Sequence, residues 1–364
     1  MTDRSTLVQA AMESAALDAL LVAAPPNLAY VCGFHANPHE RLIALIVPRE
    51  GELRLVCPSL EEAAARSALD GRAQLHVWRD DEGPADALAR ALAGVGRRVG
   101  IEKRYLSVAN AELAAQAAPA ASFAACDEVL ARLRVVKSED ELERLRRAAG
   151  IVDRVVAQLA AAAAPGVTEA ELAADCAQRL RAEGGDSLAF EPLILTGPRS
   201  ALPHGQSGAT RLAEGDLLIV DIGVTVDGYA ADITRTFVVA ADPDERQREI
   251  FAIVRAAERA GIESARAGAP ALEVDAAARG LIEEAGYGPH FIHRTGHGLG
   301  LEVHEPPYLT ATNEQTLEPG MVATVEPGIY LEDWGGVRIE DDIVIREGAA
   351  ELLTAAPIAL EAAR

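Results

Sequence analysis

The chain has 364 residues, 49% of them hydrophobic and 25% charged, a globular composition long enough for two domains that each bury a core. Its formal net charge of -22 excludes the usual signature of a nucleic-acid or anionic-membrane partner, because a phosphate-binding surface needs clustered Lys and Arg, and Lys103 and Lys137 are the only lysines. No membrane span of ~20 uninterrupted apolar residues is present, and Met1 to Leu21 lacks the pattern of a signal peptide, so a soluble, cytoplasmic protein is expected.

From residue 18 to 130, short β-rich runs (Leu20-Leu21-Val22, Leu42 to Val47, Leu53 to Val56, Leu75-His76-Val77, Arg98 to Ile101) alternate with Ala-rich helical stretches at 60–69, 84–93 and 108–117. That alternation predicts a small α/β domain. Cys32, Cys57, Cys126 and Cys176 are scattered without a Cys-x-x-Cys pair, as suits buried thiols in a reducing compartment. Ser138 and Glu141 form a capping box that opens a helix with apolar positions 142, 145, 149, 152, 156 and 159. The domain boundary is therefore placed before it, giving domains 1–135 and 136–364.

The second domain contains a duplicated pattern. A helix opened by Gly166-Val167-Thr168 and closed at Gly184-Gly185 recurs a hundred residues later between Gly268 and Gly286. Each helix precedes a Gly-turn-strand unit, first Gly215 to Asp221-Ile222-Gly223, then Gly320 to Glu326-Pro327-Gly328. Aligning Gly215 with Gly320 superimposes Asp221 on Glu326. Two half-domains with pseudo-two-fold symmetry, each ending a buried strand in a carboxylate, would bring those carboxylates to a shared seam. Asp227-Gly228 is a strong hairpin signal. A two-residue loop there pairs Val226 with Tyr229, sets 221 opposite 234 and puts Asp232 on the face of Asp221. Glu340 ends a similar strand after Gly335-Gly336.

Like-charge carboxylates 4 Å apart repel by about 4 kcal/mol at an effective dielectric near 20, so such a cluster calls for cations. Two divalent ions cancel the formal charge of four carboxylates. With His297, between Gly296 and Gly298, the donor set is oxygen-rich and suits Mn²⁺, with Co²⁺ or Zn²⁺ as alternatives. Three other motifs fail: Gly296-His297-Gly298-Leu299-Gly300 lacks phosphate-loop spacing, Gly205-Gln206-Ser207-Gly208 is one residue short of a nucleophile elbow, and His293/His297 have Arg294 where a zincin keeps Glu.

In order and spacing, Asp221, Asp232-Ile233-Thr234-Arg235-Thr236, Thr295-Gly296-His297-Gly298, Val325-Glu326-Pro327-Gly328 and Arg338-Ile339-Glu340 resemble the five-ligand signature of the pita-bread metallopeptidases. The resemblance spans 137 to 345, and the preceding domain resembles that of the Xaa-Pro dipeptidase (prolidase), aminopeptidase P and creatinase branch. It implies an α/β N-terminal domain followed by an α+β pita-bread catalytic domain. Asp221 would bind one metal, His297 and Glu326 the other, and Asp232 and Glu340 would bridge them. The activity implied is hydrolysis of the bond preceding proline, in small peptides with proline second. Glu326 would exchange the proton, His304 would steady the tetrahedral intermediate, His204 would line the proline side, and His293 and Arg338 would form the site wall. Asn37-Pro38-His39-Glu40-Arg41 resembles a loop that reaches over a partner subunit's active site in small bacterial prolidases, which implies a homodimer with His39 and Arg41 near substrate. Arg41, Arg294 and Arg338 are then the possible anchors for a dipeptide carboxylate. Aminopeptidase P, acting on longer peptides, is the alternative; a metal-free hydrolase or binding module is the remoter one, against which stand all five ligands.

Overall fold

In the computed structural model, which describes residues 4–361, the alternating pattern of the first third becomes one mixed six-stranded sheet. Its spatial order is Ala73–Trp78, Leu53–Pro58, Ala44–Pro48, Ala19–Val22, Arg98–Ile101, Ser122–Ala125. The helices Glu62–Leu69, Ala85–Leu92 and Val108–Ala117 fall where the Ala-rich stretches place them. A helix at Pro25–Cys32 was not apparent from the sequence. It has no side-chain cap of its own; the buried carboxylate of Glu102, far along the chain, accepts from Ala23 N, from Ala24 N at 2.8 Å and from Asn27 Nδ2 at 2.5 Å. That is a tertiary substitute for an N-cap, invisible to a local reading.

The chain divides into units Met1–Arg134 and Val135–Arg364. In the second, Ser138 and Glu141 form both halves of the capping box at the start of Glu139–Ala162, and the six apolar positions of its stripe are all buried. The duplication is expressed in backbone geometry. Gly166 and Gly268, Gly184 and Gly286, and Gly215 and Gly320 occupy matching turns with φ of 91° and 86°, 101° and 87°, and 85° and 89°. Only glycine takes these values freely, so the sequence repeat is a repeat of left-handed turns. Each half carries two helices, Glu139–Ala162 with Glu169–Ala182 and Glu245–Ser264 with Ala271–Glu284, followed by antiparallel strands.

The hairpin Leu217–Val226/Tyr229–Val238 has the expected register, with Val226 opposite Tyr229, Asp221 opposite Thr234 and Gly223 opposite Asp232. Asp227 and Gly228 both have positive φ, as a type I′ turn requires. The second half provides the five-stranded sheet in which Gly296–Gly298 lies between Glu305–Leu309 and Val322–Val325. One expectation is corrected here. Asp221 lies within its strand rather than at its end, because the hairpin prolongs pairing to Val226, whereas Val322–Val325 stops directly before Glu326. Pro327 has no N–H with which to continue that ladder. The halves join where Thr234 bridges Glu340 in antiparallel fashion. No helix among the described residues is long and apolar enough to cross a membrane.

Candidate active site

At that seam the side chains of Asp221, Asp232, His297, Glu326 and Glu340 line one cavity of about 1100 Å³. Ligating atoms of Asp232, His297 and Glu340 all lie within 4.8 Å of one another. His297 Nε2 is 3.3 Å from Glu326 Oε1 and 4.0 Å from Asp232 Oδ2. The hairpin register explains the first pair: on one strand face, Asp232 is the diagonal neighbour of Asp221.

The electrostatics are those of a site built around positive charge. His297 Nδ1 is 3.1 Å from the carbonyl of Gly298, which assigns the proton to Nδ1 and leaves a lone pair on Nε2. Burial, reinforced by His304, pushes the imidazole down to about 3, so the neutral ring turns the Nε2 lone pair toward the carboxyl oxygens of Glu326 and Asp232. Burial pushes Asp232 and Glu340 well above the usual carboxylate range, and neighbouring carboxylates push them further. Burial likewise raises Glu326 to about 7. Asp221 Oδ1 and Asp232 Oδ1 are buried without a hydrogen-bond donor, save a proton the two carboxyls would have to share. Buried acceptors of this kind cost free energy unless a proton or metal meets them. Four carboxylates and a neutral imidazole with a free lone pair fit divalent cations.

A second layer holds these donors. Thr234 Oγ1 donates to Glu340 Oε2 at 2.6 Å and accepts from Arg338 Nε at 3.1 Å. Arg338 Nη2 donates to Asp221, and Nη1 to Tyr330 Oη, which in turn meets His293 Nε2 at 2.8 Å. His293 Nδ1 reaches the carbonyl of Arg294 at 2.7 Å, and burial pushes its ring down to about 4. His293 therefore accepts from the tyrosine hydroxyl. Asp342 accepts from Asp232 N, and Thr324 Oγ1 accepts from His297 N. Thr234, Tyr330, Thr324 and Asp342 escaped the sequence reading. Two of them had a signal: Thr234 lies in the Asp232-to-Thr236 run and Thr324 in the Gly320-to-Glu326 unit.

The remaining expected residues divide. His204, His293, Arg294, His304 and Arg338 line the same cavity, with the His304 ring edge-on to His297 at 4.2 Å between centroids. Arg294 stacks over Tyr308 at 4.7 Å, and no carboxylate among the described residues is paired with it. His39 and Arg41 belong to the first unit. There Arg41 is held by both oxygens of Asp80 at 2.9 Å and by Glu40 at 2.7 Å.

Residues 143–347 match the metallopeptidase family M24, and residues 4–136 match the creatinase/prolidase N-terminal domain. Among solved structures, a recombinant prolidase from Thermococcus sibiricus is 35% identical with a TM-score of 0.92, covering 98% of this chain and 97% of that one. The dipeptidase PepE from Mycobacterium ulcerans is 36% identical with a TM-score of 0.90, covering 98% and 96%. An X-Pro aminopeptidase from Thermotoga maritima is 31% identical, also at 0.90, covering 99% of each chain. With residues 143–347 matched to the family and the five donor side chains lining one cavity, the chain belongs to metallopeptidase family M24, with a creatinase/prolidase N-terminal domain and a pita-bread catalytic domain.

Proposed function

We propose that the protein is an Xaa-Pro dipeptidase acting through two divalent ions. The observation that carries this reading is the convergence of Asp232, Glu340, Glu326 and a neutral His297 whose Nε2 lone pair faces them, in a cavity that also holds the unpaired cation Arg294. Asp221 and the bridging pair Asp232 and Glu340 would hold one ion, and the same pair with His297 and Glu326 the other. Mn²⁺ is the ion this oxygen-rich set favours, with Co²⁺ or Zn²⁺ as alternatives. Bound there, the ions supply Lewis acidity, lowering the pKa of a water and polarising the scissile carbonyl.

The chain's own groups do the rest. Glu326, on the cavity wall beside His297, is placed to accept a proton at a carboxylate oxygen and deliver it to the prolyl nitrogen that leaves. His304 donates to the oxygen on which negative charge develops, a contact that tightens in the transition state. His204 and His293 flank the proline. Arg294 holds the free carboxylate of the dipeptide. Arg338 is already engaged by Asp221, Thr234 and Tyr330, which makes it a holder of the site rather than the substrate anchor. In a cytoplasmic homodimer, Arg41 would contribute from the partner subunit's loop after exchanging its present partners for substrate. An aminopeptidase acting on longer peptides is the second reading, favoured by the likeness to the Thermotoga maritima structure.

The test compares kcat/KM for an Xaa-Pro dipeptide and its amide in the parent, Arg294→Ala and Arg41→Ala. A charge-assisted contact of roughly 1.5–3 kcal/mol corresponds to about a ten- to hundredfold rise in KM for the acid in Arg294→Ala, with the amide barely affected. Equal turnover of dipeptide and extended peptide by the parent would replace the dipeptidase reading with the aminopeptidase one.

A further inference from the structure

Among the described residues, Arg235 with Asp341 and Lys137 with Glu305 are ion pairs buried on both sides; the first adjoins Glu340 through the Arg235 hydrogen bond to its carbonyl, and the second lies in another part of the fold. Lys137 Nζ lies 2.9 Å from Glu305 Oε1, with the two side chains 1% and 4% exposed. Lys137 is one of only two lysines in an arginine-rich chain. Sealing such a pair from water is expensive, and hydrophobic replacement of a buried pair is often neutral or stabilising, so its presence asks for a reason besides stability.

Its position suggests that reason. Lys137 N donates to Gly320 O at 2.9 Å, and Val136 bridges Met321, which fastens this segment to the start of the strand leading into Glu326. At the other end, Glu305 opens the strand Glu305–Leu309 and pairs in register with Gly298, next to His297. The intervening loop is cinched by the same carboxylate, for Glu302 N donates to Glu305 Oε2 at 3.3 Å, while Gly300 O accepts from Ala230 N at 2.8 Å. Gly300 is small by necessity: a Cβ there would lie 2.7 Å from Glu305 Oε1 and 3.1 Å from Lys137 Cε. The bend at 301–304 leads straight into Glu305; the Glu305 carboxylate meets the buried ammonium, while the adjacent His304 lines the cavity edge-on to His297.

We propose that Lys137, through Glu305, is a positioning residue for His304: the buried ion pair fixes the rotation of the loop that aims this imidazole at the reacting carbonyl. The inference rests on the dipeptidase reading for its kinetic readout and on geometry alone for its spectroscopic one. The pair is best removed without orphaning a charge, as Lys137→Met combined with Glu305→Leu. The melting temperature should stay close to the parent's. Turnover of an Xaa-Pro dipeptide should lose about ten- to hundredfold in kcat, the effect of a reacting group displaced by about 1 Å, with KM changed much less. In a His304→Ala background the same two substitutions should cost nothing further, because the group they position is gone. An unchanged kcat, or an equal loss in the His304→Ala background, overturns the proposal. Glu305→Gln, nearly isosteric, should show the same pattern with a smaller loss and serves if the double variant fails to fold. A parent inactive on Xaa-Pro would defeat the functional reading, yet the ring nitrogen signals of His304 in ¹⁵N-labelled, metal-stripped protein still decide the positioning claim. They should shift in Glu305→Gln; unshifted signals overturn it.

Discussion

Thr234→Val separates the holding of the metal site from its donors. Thr234 is completely buried, and valine copies its shape while removing the hydroxyl. That hydroxyl donates to Glu340 Oε2 at 2.6 Å and accepts from Arg338 Nε at 3.1 Å, so it links the Glu340 carboxyl to the guanidinium that grips Asp221. Burial and the carboxylates of Glu326 and Asp221 favour a protonated Glu340 when no cation is present. Metal binding needs the ionised form, and the threonine donor stabilises that form selectively. Removing it should therefore weaken the loaded state far more than the empty one. Loss of such an outer partner typically costs 10–100-fold in metal affinity, or about 1.4–2.7 kcal/mol. Calorimetric titration of stripped protein with Mn²⁺ should show that loss for Thr234→Val and little loss for Thr234→Ser, with similar melting temperatures of the stripped proteins. A Kd within twofold of the parent for Thr234→Val, or equal losses in both variants, refutes the reasoning.

Other expectations follow from the same geometry. Asp232→Asn and Glu340→Gln should each abolish turnover while circular dichroism stays native, since an amide cannot bridge two cations. His304→Ala should lower kcat by ~10²–10³ fold and change KM much less, as removal of one oxyanion donor does; steady-state kinetics decides. Glu258, 3% exposed, is pushed up to about 8 by burial and by the neighbouring Asp341. The folded state then binds this proton more tightly than the unfolded chain, whose carboxyl titrates near 4.5. The stabilisation is complete below 4.5 and is lost as pH rises to about 8. Glu258→Gln, neutral throughout and able to donate to Asp341, should flatten that loss and raise the melting temperature above pH 8 by several degrees, for a gain of a few kcal/mol. Thermal melts from pH 5 to 9 check the slope.

What was legible in the sequence was whatever is encoded locally or by repetition. The turn at Asp227-Gly228 dictated a register, and the register placed Asp221 and Asp232 on one face. The matched glycines carried the duplication because left-handed turns tolerate little else. Partnerships across the fold were not legible. The capping of Pro25–Cys32 by Glu102 joins residues 78 apart, and the Thr234–Glu340 link joins residues 106 apart; no spacing rule reaches that far. Arg41 shows the opposite limit: its sequence neighbourhood gives no sign of Asp80, which occupies its guanidinium. Arg294 and Arg338 look alike as possible anchors in the sequence; in the fold Arg338 donates to Thr234, Tyr330 and Asp221, whereas Arg294 stacks over Tyr308.

The most direct measurement is hydrolysis of an Xaa-Pro dipeptide followed against Mn²⁺ equivalents bound per chain, starting from stripped protein. Activity should be absent without metal and should rise to a plateau as two equivalents bind, with the bond before proline the one cleaved. Full turnover by stripped protein, or none with two equivalents bound, would contradict a two-metal Xaa-Pro dipeptidase.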